Sequence, residues 1–450
     1  MAERHVAVAL SGGGHRASAF ALGVMLYLAR AGKTPEISSV SSVSGGSLTN
    51  GALAQDVDLS SAPAEDVERV VARTARGLTG RGTLFGAPEV GIWLVGLLAL
   101  GFLGLVVPWL LGVAGWLKVL LFLVGLAVVG WYFAQRGWFT GRAFARTLFT
   151  RNGSRTALTD VHAGVDHVIC ATDLHAGEHV YFSGDFVYAY RFGLGTPGDL
   201  PLHSAVQASA AFPGAFPVTW IRTARFNFEG GMPEAANASS LALHDGGVYD
   251  NMGDQWAHGL ENRSDDHPGV FQQADELIVA NGSGGLEFGS VAKLGIPWIG
   301  EFLTVLQDKS VLYDNGNSVR RRELVARFDL AERERRGLRG SLVHIPQSPF
   351  KVPRAFESSP EWPERAERAR AALEHLREQT AETEADWAAI AKANAGVPTT
   401  LLGLKVEVTA SLLRHAYVLA MVNLHVILGY PLLPIPSADE FEGLVTAGGA

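Results

Sequence analysis

The stretch His5-Val6-Ala7-Val8-Ala9-Leu10-Ser11-Gly12-Gly13-Gly14 decides the fold. His5 to Leu10 is apolar and partly β-branched, Ser11 to Gly14 breaks the run, and Ser18 to Ala31 continues with apolar residues at helical spacing. A short buried strand that turns through glycines into a helix is the building unit of a layered α/β fold. The unit recurs at Ile37 to Ala54, again as strand, turn and helix. Asp166 to Ala171 and Glu276 to Ala280 read as further short buried strands, the second ending in Asn281-Gly282-Ser283-Gly284-Gly285. The expected fold is therefore α/β, a mostly parallel sheet flanked by helices on both faces.

Composition narrows the class. Hydrophobic residues make up 48% of the 450 residues and charged residues 18%, with 52 glycines, which excludes a disordered chain and a charged coiled coil. The 45 acids against 37 bases leave a net charge of -8, so nucleic acid is not the expected partner, because duplex binding rests on neutralising phosphates. The lone cysteine, Cys170, rules out an intrachain disulfide and a multi-thiolate zinc site and fits a reducing compartment. The apolar run near the start is too short for a signal-peptide core, so secretion is not expected.

Two long apolar blocks account for the positive mean hydropathy of +0.15. Ile92 to Gly112 carries no charge over roughly 20 residues, the length a helix needs to cross a hydrocarbon core. After the turn-prone Gly112-Val113-Ala114-Gly115, Trp116 to Ala134 continues with only Lys118 charged. Trp93, Trp109, Trp116, Trp131, Tyr132 and Trp138 gather mostly near the expected ends, where amphipathic rings favour the headgroup level. Arg73, Arg76 and Arg81 precede the pair and Arg136, Arg142, Arg146 and Arg151 follow it. A transmembrane helical hairpin with both outer ends on the cytoplasmic side is the expectation; a pair of core, lid or oligomer-interface helices is the rival. Val408 to Leu428 is also apolar but contains Arg414, His415, Asn423 and His425, and reads as a core helix. The Arg- and Glu-rich segment from Leu324 to Glu384 reads as solvated helix faces.

Three glycine-rich turns carry candidate chemistry. Ser42-Val43-Ser44-Gly45-Gly46-Ser47 lies between a strand and a helix, where a sharp elbow exposes a serine hydroxyl and small neighbours let a substrate approach. Gly12, Gly13 and Gly14 can aim N–H groups at one point and so hold an oxyanion, or alternatively a phosphate, although the GxxxxGK[ST] pattern is absent. Arg16 is placed to orient that loop or to meet an anionic headgroup. His244-Asp245-Gly246-Gly247 offers a carboxylate in a flexible turn, with His244 as the competing base. His175 and His179 sit in a segment of strand and turn character, so no zinc site is expected, and His415 and His425 are spaced too far apart for paired metal ligands.

Taken together in this chain order, the Gly12-Gly13-Gly14-His15-Arg16 loop, the Ser44 elbow and the Asp245-Gly246-Gly247 turn resemble the patatin-like phospholipase family. Ala171-Thr172-Asp173-Leu174 running on to Val180-Tyr181-Phe182-Ser183, and Ala208 to Pro213 with Phe216 and Pro217, extend the likeness over roughly His5 to Gly285. The resemblance implies a serine acyl hydrolase with a Ser44–Asp245 dyad, an oxyanion hole at Gly12, Gly13 and Gly14, and supporting roles for Arg16, Gly45, Gly46, Gly246 and Gly247. It implies no metal and no cofactor. Ser42 stands where the family has the first glycine of its serine motif, and Ala17 where a glycine often follows the arginine; these motivate the alternative of a catalytically inactive scaffold. The expected organisation is a first catalytic part at 1–90, an inserted hairpin at 91–135, a second catalytic part at 136–345 and a helical C-terminal region at 346–450. Expected partners are a phospholipid or lysophospholipid substrate and the bilayer, with homo-oligomerisation left open, and the expected location is an integral membrane protein with a cytoplasmic catalytic domain.

Overall fold

The computed structural model describes residues 5–151, 153–214, 216–285 and 297–446. At its centre run five parallel strands in the spatial order Asp166–Asp173, β2 (Ile37–Ser42), β1 (Val6–Leu10), Glu276–Asn281 and Arg339–His344. Both faces are covered, as a parallel sheet requires. Alternation along β1 divides the core: Val6, Val8 and Leu10 pack with one apolar cluster, while Ala7 and Ala9 meet Met252, Leu277, Val279, Leu324 and Phe328 on the other side.

On the first face α1 (Gly14–Arg30) is crossed by the helix Val406–Leu428, and both belong to a single cluster with Leu373, Leu376 and Trp387. The crossing is close because Gly23 has no side chain; a β-carbon there would come 2.8 Å from Ala416 Cβ. Val406–Leu428 is apolar and long enough to span a membrane, yet 78% of its most apolar window is buried inside the protein. Its polar residues are used internally. Arg414 pairs with Glu382 at 2.6 Å, and His415 Nε2 lies 2.9 Å from the Gln347 carbonyl oxygen.

Beyond Asp166–Asp173 the sheet turns antiparallel through Glu178–Phe182, Val187–Ala189, Gly193–Gly195 and Glu229–Gly230. Ser240–Asp245 also pairs antiparallel with Asp166–Asp173. The edge strand Arg339–His344 lies inside the segment read from sequence as solvated helix faces, and corrects that reading. Only six residues long, it is flanked by charged helices that mask its alternation.

The two apolar blocks form helical segments Pro88–Leu110 and Gly115–Thr147, with mean hydropathies of 2.6 and 2.1, and none of either apolar window is buried. By length and composition they can cross a membrane. Pro108 lacks the N–H that would meet the Gly104 carbonyl one turn earlier, and the helix widens to a π-turn over Phe102–Val106 at that place. The displaced Gly104 carbonyl lies against Gly125, where any β-carbon would strike it, so two glycines set the closest approach of the pair. Lys118 reaches back to the Trp109 carbonyl at 3.4 Å, and Glu89 meets Arg146 at 3.0 Å where the two segments return to the body.

Candidate active site

β2 ends at Ser42 and α2 (Gly45–Asp56) begins at Gly45, so the chain reverses within two residues. Ser44 takes φ 50° and ψ -116°, a region that L-residues avoid and that costs about 1–3 kcal/mol unless its surroundings enforce it. Two sets of contacts enforce it. The Ser44 N–H donates to Ser209 Oγ at 3.0 Å, and Ser209 Oγ donates on to the Cys170 carbonyl at 2.7 Å. Below the turn, a β-carbon on Gly45 would collide with the Gly14 carbonyl, and one on Gly46 would collide with the Leu10 carbonyl. The Ser44 hydroxyl does not cap α2, and its residue is half-buried while Val43, Gly45 and Gly46 are buried. Gly45→Ala is expected to destabilise the fold by about 1–3 kcal/mol in denaturant melts, as overpacking does. Gly443→Ala, inside the helix Ala438–Thr446 where nothing lies within 4 Å of the added β-carbon, serves as the control and should instead stabilise by about 0.5–1 kcal/mol.

Ser42 departs from the family pattern but fits. Its hydroxyl is 3.2 Å from the Val168 carbonyl and accepts from Asn50 Nδ2 at 2.9 Å and from Ser47 Oγ at 3.0 Å. Ala17 is buried beside the loop, its β-carbon 3.1 Å from where one on Gly13 would stand.

The glycine loop leads into α1 with Gly13 at φ 134° and Gly14 at φ 60°, values that glycine alone adopts without strain. Gly12 N–H donates to the Asn251 carbonyl at 2.9 Å, which commits it structurally. Among the described residues no acceptor meets the N–H groups of Gly13 or Gly14, nor that of Gly45 at the start of α2. Helix N-termini present such groups to negative charge. Of the three N–H groups expected to hold an oxyanion, that of Gly12 is therefore already occupied, while those of Gly13 and Gly14, together with that of Gly45, meet no acceptor among the described residues. A β-carbon on Gly12 would come 3.2 Å from Ser44 Cβ, so the loop lies directly against the serine.

Arg16 holds the loop from behind. Its Nε donates to the Gly282 carbonyl at 2.9 Å, NH2 donates to Thr399 Oγ1 at 3.2 Å, and NH1 donates to the Val397 carbonyl. It is 6% exposed, and these bonds tie the first turn of α1 to Gly282 and to the 397–399 segment. His15 does the same: its ring nitrogens lie 2.8 Å from the Leu402 carbonyl and 2.9 Å from Thr83 Oγ1. Burial pushes its pKa down to about 4, so the ring is neutral. The 397–402 segment escaped the sequence reading because, Thr399 Oγ1 apart, its contacts are made by the backbone carbonyls of Val397, Thr400 and Leu402, which leave no trace in residue identity.

Asp245 reaches this place through strand register. Ile169 is flanked by Phe182 on one side and Ser42 on the other; two residues on, Ala171 is flanked by Val180 and Asp245. Asp245 therefore takes over the edge that β2 leaves at Ser42, about 7 Å further along at roughly 3.3 Å per residue. Its carboxylate accepts from Gly247 N–H at 2.8 Å, and Thr172 Oγ1 donates to its carbonyl at 3.0 Å. Gly246 has no room for a side chain, since a β-carbon would collide with the Cys170 carbonyl and come 3.3 Å from Val43 Cγ1. The alternate residue His244 pairs with Thr172 and points to the opposite face of the sheet. That separates the two competing bases.

His179 lies on the face of His244, and its Nε2 is 3.0 Å from the Gly246 carbonyl; burial pushes its pKa down to about 4. His175 is in an exposed turn. Among the described residues no three His, Cys, Asp or Glu side chains gather to hold a metal ion.

The model of the patatin-like phospholipase family matches residues 8–253, more than half of the 450 residues. No curated protein matches the chain. An alignment with the crystal structure of VipD from Legionella pneumophila covers 100% of this chain and 89% of that one, at 14% identity and a TM-score of 0.28. The matched span begins in β1, takes in the glycine loop and the serine elbow, and closes just past the Asp245 turn: this chain belongs to the patatin-like phospholipase family.

Proposed function

We propose that the protein is a membrane-anchored serine acyl hydrolase that cleaves ester bonds of phospholipids or lysophospholipids through Ser44 and Asp245. Membership of the family supports a lipid acyl hydrolase. The observation that carries the finer reading is the shared edge of Asp166–Asp173, which brings Asp245 next to the turn holding Ser44 in a strained backbone.

In this reading Asp245 takes the Ser44 proton as Oγ attacks the ester carbonyl carbon. The carbonyl electron pair moves to oxygen, where the N–H groups of Gly13, Gly14 and Gly45 meet the developing charge. Collapse of the adduct breaks the bond to the alcohol, which leaves with the proton from Asp245, and Ser44 keeps the acyl group. Water then attacks the acyl-enzyme while Asp245 takes its proton. The second adduct breaks its bond to Ser44 Oγ, which takes the proton back from Asp245, and the fatty acid leaves with both residues restored. Labelling of Ser44 by a fluorophosphonate, together with fatty acid release from lysophospholipid micelles, tests the reading; an unlabelled Ser44 with no release overturns it.

The hairpin completes the proposal by holding the site where substrate is concentrated. The full chain is expected to stay with membranes after carbonate extraction. Replacing residues 88–134 with a short Gly-Ser linker should move it to the supernatant. Recovery of the intact chain in the supernatant without detergent would reject the anchor.

A further inference from the structure

On the sheet face opposite to Asp245 lies a cavity of about 240 Å³. We propose that this cavity binds a zwitterionic glycerophosphate headgroup, with its phosphate on Arg263, a glycerol hydroxyl on His179 Nδ1, and its ammonium between Glu178 and Asp266 at the mouth.

The floor is cationic. Arg263 is 8% exposed, and among the described residues no carboxylate lies within ion-pair distance of it. Its guanidinium donates to the Trp256 carbonyl and sits over the Trp256 and Tyr181 rings at 4.3 and 5.1 Å, while its Nε has no acceptor. A buried cation without an anion is costly, and a phosphate in the cavity supplies one. His179 adds a second demand. The Gly246 carbonyl only accepts, so the proton is on Nε2, and Nδ1 is left as a buried lone pair with no donor. That lone pair would repel a bare anion but accepts from a hydroxyl on the same molecule.

The mouth has the opposite character. Asp266 is exposed and Glu178 half-buried, and the exposed rings of Tyr190 and Tyr249 stand beside them. Carboxylates and ring faces attract an ammonium group. A simple anion is disfavoured at the mouth and a simple cation at the floor, so the lining selects a dipolar ligand. Such a headgroup comes from a membrane lipid or from a water-soluble product of complete deacylation. Its occupancy bears on Asp245, because His179 holds the carbonyl of the next residue, Gly246. Only the ligand's origin rests on the lipid-hydrolase reading.

The test is calorimetric titration of the full chain in uncharged detergent with glycerophosphocholine, glycerol 3-phosphate and choline, using both native protein and Ser44→Ala. Saturable binding of glycerophosphocholine, with both fragments at least about tenfold weaker, is expected in both proteins. Asp266→Asn, at an exposed position, should weaken glycerophosphocholine and strengthen glycerol 3-phosphate, and Arg263→Gln should abolish both. If Arg263→Gln fails to fold, the Asp266→Asn reversal and His179→Phe, which removes the hydroxyl acceptor, carry the test. Displacement by phosphatidylcholine vesicles assigns the site to membrane lipid, and its absence to the soluble product. No saturable binding, or equal binding of all three compounds, overturns the site. Binding that survives in a protein showing no hydrolysis would retain this site and reject the proposed activity instead.

Discussion

Ser44→Ala is expected to abolish ester hydrolysis and fluorophosphonate labelling while the protein stays folded. Removing the nucleophile of a serine hydrolase lowers kcat by up to about 10⁶-fold, because no acyl-enzyme can form and the oxyanion donors assist only direct attack by water. The fold should be indifferent, since the Ser44 hydroxyl caps no helix and the neighbouring contacts are made by the backbone N–H to Ser209. Ser44→Gly sharpens the prediction. At φ 50° a glycine sits without the penalty a side chain incurs, so this variant should be inactive yet more stable than the native protein by about 1 kcal/mol. Chemical denaturation alongside a lysophospholipid assay checks both halves. Retained hydrolysis in either variant would remove Ser44 from the mechanism.

Asp245→Asn is expected to cost about 10²–10⁴-fold in hydrolysis, the usual contribution of a positioned general base. Asparagine preserves shape and can still accept from Gly247 N–H, so the turn that presents the side chain should persist and far-UV circular dichroism should not change. What it loses is the capacity to take a proton. The partner experiment is His244→Asn, expected to leave kcat within about twofold because alternation sends that side chain to the other face of the sheet. An active Asp245→Asn protein combined with an inactive His244→Asn protein would assign the base to the histidine.

Several local features were legible in the residues alone. A strand that stops at Ser11-Gly12-Gly13-Gly14 and resumes as a helix has few alternatives, because the turn needs positive φ at Gly13 and Gly14. The serine elbow is legible through its small residues between a strand and a helix, although the backbone of Gly14 and Leu10 that excludes side chains at Gly45 and Gly46 is brought there by the fold. The long apolar blocks were also plain, and Pro108 explains the widened turn within the first of them. By contrast, Arg339–His344 went unread as a strand. Six residues between charged helices carry too little periodicity, and pairing with Glu276–Asn281 is what makes them a strand.

Hydropathy did not separate Val406–Leu428 from the hairpin helices; its internal charges hinted at a core role, and packing on α1 shows where its apolar surface goes. Residue type identified Gly12, Gly13 and Gly14 as a group, but only the approach of Asn251 reveals that one of the three N–H groups is already occupied. Likewise Asp245 and its rival His244 are neighbours in sequence, and it is strand pairing that turns them to opposite faces. Local sterics are encoded within a few residues, so a glycine, a proline or an apolar run announces itself. Register, facing and the fate of each backbone hydrogen bond depend on segments hundreds of positions apart, and those choices are made only when the sheet assembles.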